Sequence, residues 1–215
     1  KARVTDDLLE KDKIVIGTVK TMDEIYGIEY LVKAFHILNK KYSNLRLLLV
    51  GGTNKSNIEY LKNLKKLVLD LELKDKTVFT GQIPYEKAPE FHNMLTIPVY
   101  LSLRESYGVS ALESQACEKA IVVSDVGGLP EVVKENETGF IVKSCDENEA
   151  ARAIERLILD ENLRRQMGKN ARNLVLEKFS QEVVARKMIE IYNRVLDNHE
   201  KSKKSLTLPV DGTRS

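Results

Sequence analysis

Glu105 and Glu113 bracket the run E-S-Y-G-V-S-A-L-E, which follows an apolar, strand-like stretch. Read as a strand, a turn and the first turns of a helix, this run puts one carboxylate at a helix mouth. The other then lies about two turns deeper, on the order of 12 Å along the axis. Carboxylates accept hydrogen bonds from sugar hydroxyls, and the unpaired N–H groups and partial positive charge of a helix N-terminus bind phosphate. Together they suit an elongated, polyhydroxylated phosphate ester, so the spacing points to a nucleotide-sugar site. A glycoside hydrolase also needs two carboxylates, but about 5–9.5 Å apart across one bond, which two helical turns exceed. Taken alone, both glutamates read more simply as solvated helix residues, so the weight falls on the loops around them.

Those loops hang on an alternation of apolar, strand-length runs with segments of helical period, the pattern of a parallel sheet covered on both faces. Strands are predicted at 13–19, 45–50, 76–80, 97–103, 120–124 and 139–142, and helices at 28–41, 56–70, 86–93, 106–117 and 128–134. The fold class is α/β: a Rossmann-like, doubly wound parallel sheet. Extra, charged helices follow at 146–159, 161–178 and 180–198, and residues 199–215 read as a flexible tail. Pro98 cannot donate to a ladder, so it implies a bulge or a position near its strand's start.

In such a sheet, ligands collect beyond the carboxyl ends of the strands, and the strand exits hold nearly every unusual residue. They carry Lys20 with Tyr26-Gly27, then Gly51-Gly52-Thr53-Asn54-Lys55-Ser56, then Gly81-Gln82-Ile83. Arg104 to Gly108 and Asp125 to Glu131 complete the rim. The G-G-T-N-K-S run lacks the spacing of a triphosphate loop, and no G-x-G-x-x-G follows the first strand, which removes the NAD reading. Cys117 reads as a small buried apolar residue, and His92 has no evident acid or base partner.

Composition narrows the classes further. With 34 basic against 32 acidic residues in 215 the formal charge is +2, too small to recruit nucleic acid. Two distant cysteines and three histidines match no metal-ligand spacing and suggest a reducing, cytoplasmic setting. No 18-residue apolar run and no secretory h-region appears, so neither a transmembrane segment nor a signal peptide is expected. Peripheral membrane association stays open.

Taken in order, I-G-T-V-K, Y-G-I-E-Y-L-V-K-A-F, L-L-L-V-G-G, V-F-T-G-Q-I, S-L-R-E-S-Y-G-V-S-A-L-E-S-Q-A and S-D-V-G-G-L-P-E-V-V-K-E-N-E-T-G-F-I-V form a specific set. The chain resembles, over residues 13–198, the C-terminal, donor-binding half of retaining glycosyltransferases of the GT-B fold, in the family 4 group. The resemblance implies a UDP- or GDP-linked sugar as substrate, hexosyl transfer with retention, and no cofactor or metal. It implies Glu105 near hydroxyls of the donor hexose and Glu113 on the ribose hydroxyls. Gly108, Val109 and Ser110 would offer backbone N–H groups to the diphosphate, with Lys20 neutralising the leaving group. Gln82 and Ile83 would lie beside the nucleobase and Gly51 near the nucleotide. It also implies that residues 1–12 are a linker from a missing N-terminal, acceptor-binding domain, and that the isolated domain binds donor without efficient transfer.

The chain departs from the family pattern at Tyr26, where a second lysine usually precedes Gly27, so one phosphate cation is missing unless Lys55 or Arg104 replaces it. Glu118, Ala120 and Leu101 replace a glycine and two prolines common at those places. Two alternatives stay open: a catalytically silent interaction module, and a sugar-nucleotide epimerase of related architecture.

Overall fold

The computed structural model describes residues 12–206. The expected linker, apart from Asp12, and the segment 207–215 lie outside the described residues. The chain divides into two units, Lys1–Val175 and Leu176–Ser215.

The first unit is built on six strands, β1 (Ile14–Val19), β2 (Leu45–Val50), β3 (Thr77–Phe79), β4 (Ile97–Tyr100), β5 (Ile121–Ser124) and β6 (Gly139–Val142). They form one sheet in the order β3-β2-β1-β4-β5-β6, and every pairing is parallel. Parallel neighbours need crossovers. These are α1 (Ile28–Asn39), α2 (Ile58–Asp70), α3 (Ala88–Met94), α4 (Val109–Ala116) and the single turn α5 (Leu129–Val132). Helices α6 (Glu147–Leu159) and α7 (Glu161–Lys178) follow. The winding reverses between β1 and β4, so chains leaving these two strands part and open a crevice at their carboxyl ends.

Burial explains the layers. Every residue of β2, L-R-L-L-L-V, is buried, which a strand achieves only when both faces are covered. On one face Ile16, Leu47 and Leu49 pack with Phe35 and Leu38 of α1 and with Ile154 and Leu157 of α6. On the other, Val15, Leu48, Val50 and Leu95 meet Phe91 and Met94 of α3. Helix α1 buries Ile28, Leu31, Val32, Phe35 and Leu38, a single stripe at helical period. Truncating the fully buried Phe35 to alanine would cost about 3–5 kcal/mol.

Two differences from expectation bear on the rim. Helix α4 begins at Val109, not 106, because Gly108 takes a left-handed φ of 88° that no helix turn admits, while the N–H groups of Leu103 and Arg104 tie the preceding loop to the Ile25 carbonyl (2.8 and 3.1 Å). Strand β4 ends at Tyr100, and Pro98 is its second residue, opposite Gly17 of central β1. Just before it, Thr96 donates its N–H to the Val15 carbonyl (2.8 Å) and accepts the Val15 N–H on Oγ1 (3.1 Å), so a side chain completes the ladder there.

In the second unit the last turn of α7 leads to α8 (Gln181–Leu206). The expected helix end at 198 is therefore too early. Nothing in E-K-S-K-K-S-L stops a helix before Pro209. Val184, Met188, Ile191 and Val195 are exposed along α8. No helix among the described residues is long and apolar enough to cross a membrane.

Candidate functional site

Lys20 is the first residue past β1, and its N–H donates to the carbonyl of Val50 at the end of β2 (2.8 Å). Its side chain reaches across the crevice to the loop after β4, where Nζ donates to Glu105 Oε2 at 2.7 Å. These side chains are only 12% and 10% exposed. The ammonium also lies 4.3 Å from the ring centroid of Tyr26, in the range of a cation–π contact. Burial, then the charges of Glu105 and Asp23, push the Tyr26 phenol upward, so it stays neutral. A cation is thus held between a carboxylate and a ring face at the switch point of the sheet.

The loop after β5 fixes the loop that carries Glu105. Gly127 has φ 53°, and a Cβ there would fall 1.6 Å from the Glu105 carbonyl oxygen, so only glycine lets the two backbones touch. The Gly128 N–H donates to that carbonyl at 3.2 Å, and Ser124 Oγ donates to the Ser102 carbonyl at 2.7 Å. The chain then turns through Gly108, φ 88°, into α4. No side chain caps this helix, which leaves the N–H groups of Val109 and Ser110 open to solvent or a ligand. The partial positive charge of the helix end lies there too.

Glu113 sits one turn along α4. The helix starts at Val109, so Glu105 lies in the loop before it and a helical rise of about 12 Å between the two carboxylates does not apply. The helical-rise argument against a hydrolase therefore loses its force. Glu113 Oε1 accepts from the Tyr85 hydroxyl at 3.0 Å, and Oε2 faces His92 Nε2 at 3.2 Å. His92 Nδ1 lies 2.8 Å from Ser114 Oγ, which lies 2.7 Å from the Tyr100 hydroxyl. The His92 bond holds the Glu113 carboxyl below its ordinary range against partial burial, and the Tyr85 bond and the charge of Lys20 act in the same direction.

The remaining expected residues line the rim's far side. A Cβ on Gly51 would fall 2.1 Å from the Lys20 carbonyl oxygen, and one on Gly52 would fall 2.8 Å from Gln82 Cβ. Gly51 and Gln82, with Thr53, Leu61, Lys65 and Phe79, line a cleft of about 400 Å³. The side chain of Ile83 packs into the core against the cluster of Val15, Leu48, Val50 and Leu95, so only its main chain is left for a ligand. Lys55 and Arg104 are exposed. Cys117 is half-buried, not buried, at the edge of a second cleft with Tyr85, Pro89, His92 and Glu113. No group of three or more His, Cys, Asp or Glu among the described residues is arranged to hold a metal ion.

His92 and Tyr85 as partners of Glu113, and Ser114 as the partner of His92, were not foreseen from the sequence. His92 and Glu113 belong to different helices, α3 and α4, and no spacing within either one signals that they meet.

Comparison with known proteins bears on what such a rim does. Residues 4–174 match the family model described as glycosyl transferases group 1. The chain is similar to the capsular polysaccharide biosynthesis glycosyltransferase CapM of Staphylococcus aureus, 31% identical over 89% of this chain and 49% of CapM. Among solved structures it superposes on sucrose-phosphate synthase from Thermosynechococcus elongatus with a TM-score of 0.81 and 32% identity, over 92% of this chain and 48% of that one. It superposes also on Anabaena HepE in complex with UDP, TM-score 0.82 and 20% identity, over 90% of this chain and 52% of that one. The chain spans about half the length of the curated relatives it matches.

Proposed function

The chain belongs to the glycosyl transferase group 1 family, its fold being that of the C-terminal domain of GT-B enzymes, and on that premise we propose that its rim binds a nucleoside-diphosphate sugar as transfer donor. The observation that carries this reading is the largely buried Lys20–Glu105 pair at 2.7 Å, set beside an uncapped helix N-terminus. Diphosphate oxygens on the Val109 and Ser110 N–H groups would come within reach of Lys20. As the glycosidic bond breaks, charge grows on the leaving diphosphate, and fixed donors already aimed there stabilise it without reorganising. Glu105, freed in part from Lys20 by the incoming anion, turns to hydroxyls of the donor sugar. Glu113 takes the ribose hydroxyls, and the main chain at Gln82 and Ile83 borders the base. A UDP complex of a protein sharing the fold supports a nucleotide of this class.

On this reading transfer needs no metal, because Lys20 and the helix mouth supply the positive charge. We read it as proceeding with retention, in the cytoplasm, where the free cysteines Cys117 and Cys145 are stable. We place the acceptor site in the part of the relatives that this chain does not match, and on that reading these residues alone bind donor without efficient transfer. Titration calorimetry with UDP-, GDP- and ADP-glucose tests this in the presence of EDTA. One of the three is expected to give saturable heat at one site per chain, and absence of heat from all three would remove the reading. Tyr26, standing where the family has a second lysine, favours the silent interaction module as the second reading, and that negative outcome would support it.

A further inference from the structure

Glu113 is aimed by something, and the interior supplies it. We propose that His92 is a positioning residue for Glu113, fixing one carboxylate oxygen from the core so that the other meets the donor's ribose hydroxyls. This deepens the donor-site reading above and rests on it.

For a neutral imidazole the hydrogen-bond roles give the chain one direction. An ionised carboxylate only accepts, so His92 Nε2 carries the proton that goes to Glu113 Oε2, 3.2 Å away. In neutral imidazole Nδ1 is then an acceptor, and Ser114 Oγ, 2.8 Å away, donates to it. That leaves the Ser114 oxygen to accept from the Tyr100 hydroxyl at 2.7 Å. Burial pushes the Tyr100 phenol well above its ordinary value, so it keeps a proton to give. Tyr100 to Ser114 to His92 to Glu113 is therefore a one-way relay of donors in which these polar atoms all find partners of the right kind.

Its first three members are 3%, 0% and 1% exposed, whereas the Glu113 side chain is 28% exposed. Burying an imidazole this deeply is unfavourable unless its nitrogens are bonded, and packing does not require it, since Phe91 and Met94 of the same helix supply the apolar contact with the sheet. Glu113 Oε1, by contrast, is held among the described residues by Tyr85, which is 78% exposed. A ribose hydroxyl can displace an exposed phenol there without disturbing the anchored oxygen. Without His92 the carboxylate would rotate, and its ordering would have to accompany binding.

The test is calorimetric affinity for UDP or GDP, whichever the wild-type chain takes, and for its 2′,3′-dideoxy counterpart. His92→Phe is expected to weaken the ribonucleotide about tenfold, the effect of one hydrogen bond of roughly 1.4 kcal/mol, and to leave the dideoxy nucleotide within a factor of about two. His92→Gln, which keeps an N–H donor, is expected to recover most of the loss. In the wild type, 15N spectra of the ring should report the Nε2–H tautomer. Ser114→Ala should mix the tautomers and weaken the ribonucleotide a few-fold. Equal losses for both nucleotides, no loss in His92→Phe, or an Nδ1–H ring would overturn the inference while the donor site stands. A wild-type chain that binds neither nucleotide overturns the donor site and this inference together.

Discussion

Lys20 faces two anions in turn. Without ligand it is bonded to Glu105 at 2.7 Å, and on the proposed reading a diphosphate competes for the same ammonium. The two partners should therefore respond differently to mutation. Lys20→Ala removes a charge-assisted contact of about 1.5–3 kcal/mol and leaves Glu105 repelling the diphosphate, so UDP affinity should fall at least tenfold in calorimetry. Glu105→Gln frees the lysine, so UDP itself should bind as well or more tightly, while any preference of the protein for the UDP-sugar over UDP is lost. Equal losses in both variants would contradict this division of labour. Glu113 makes a separate statement about pH. Its carboxyl is held low by His92 and then Tyr85, so its folded value lies below its unfolded one. Its contribution to stability is present above the unfolded carboxylate pKa of about 4.3 and is lost as pH falls through the folded value. Thermal melts of wild type and Glu113→Gln should accordingly differ at neutral pH and converge only once the pH has fallen below the lowered folded value.

Helix α4 and the loop before it are the element that turns these residues into a site. Gly108 enters the helix at φ 88°, and a Cβ there would lie 3.0 Å from Leu129 Cδ2. Gly108→Ala is therefore expected to lower stability by about 1–2 kcal/mol in urea unfolding, and to weaken nucleotide binding as the helix mouth shifts. An unchanged midpoint would mean the turn is not strained. The elements themselves were legible in the sequence because buried parallel strands are apolar on both faces, as L-R-L-L-L-V is, and because Ile28, Leu31, Val32, Phe35 and Leu38 fall at helical period. What was not legible depends on tertiary ties. The helix start moved from 106 to Val109 because Gly108, packed against Leu129 and Val132 of α5, takes a left-handed φ of 88°. The Lys20–Glu105 contact follows from their strand exits being neighbours across the switch point, but the His92–Glu113 contact needed the packing of α3 on α4, which periodicity does not encode.

At the scale of the whole molecule, the described residues hold a six-stranded α/β unit whose rim gathers the residues expected to carry chemistry. A ligand that binds only the folded rim stabilises it by about 2.7 kcal/mol at one hundred times its dissociation constant. For a domain of this size that is a rise in melting temperature of roughly 5–10 °C. UDP or GDP should produce such a rise in wild type and much less in Lys20→Ala, and an equal rise in both would put the nucleotide elsewhere. The most direct measurement is backbone amide NMR of the chain during titration with UDP and GDP. The N–H signals of Gly108, Val109 and Ser110 are expected to move most, in step with those of Lys20 and Glu113. Saturable binding that leaves these amides in place while others move would contradict the proposed donor site.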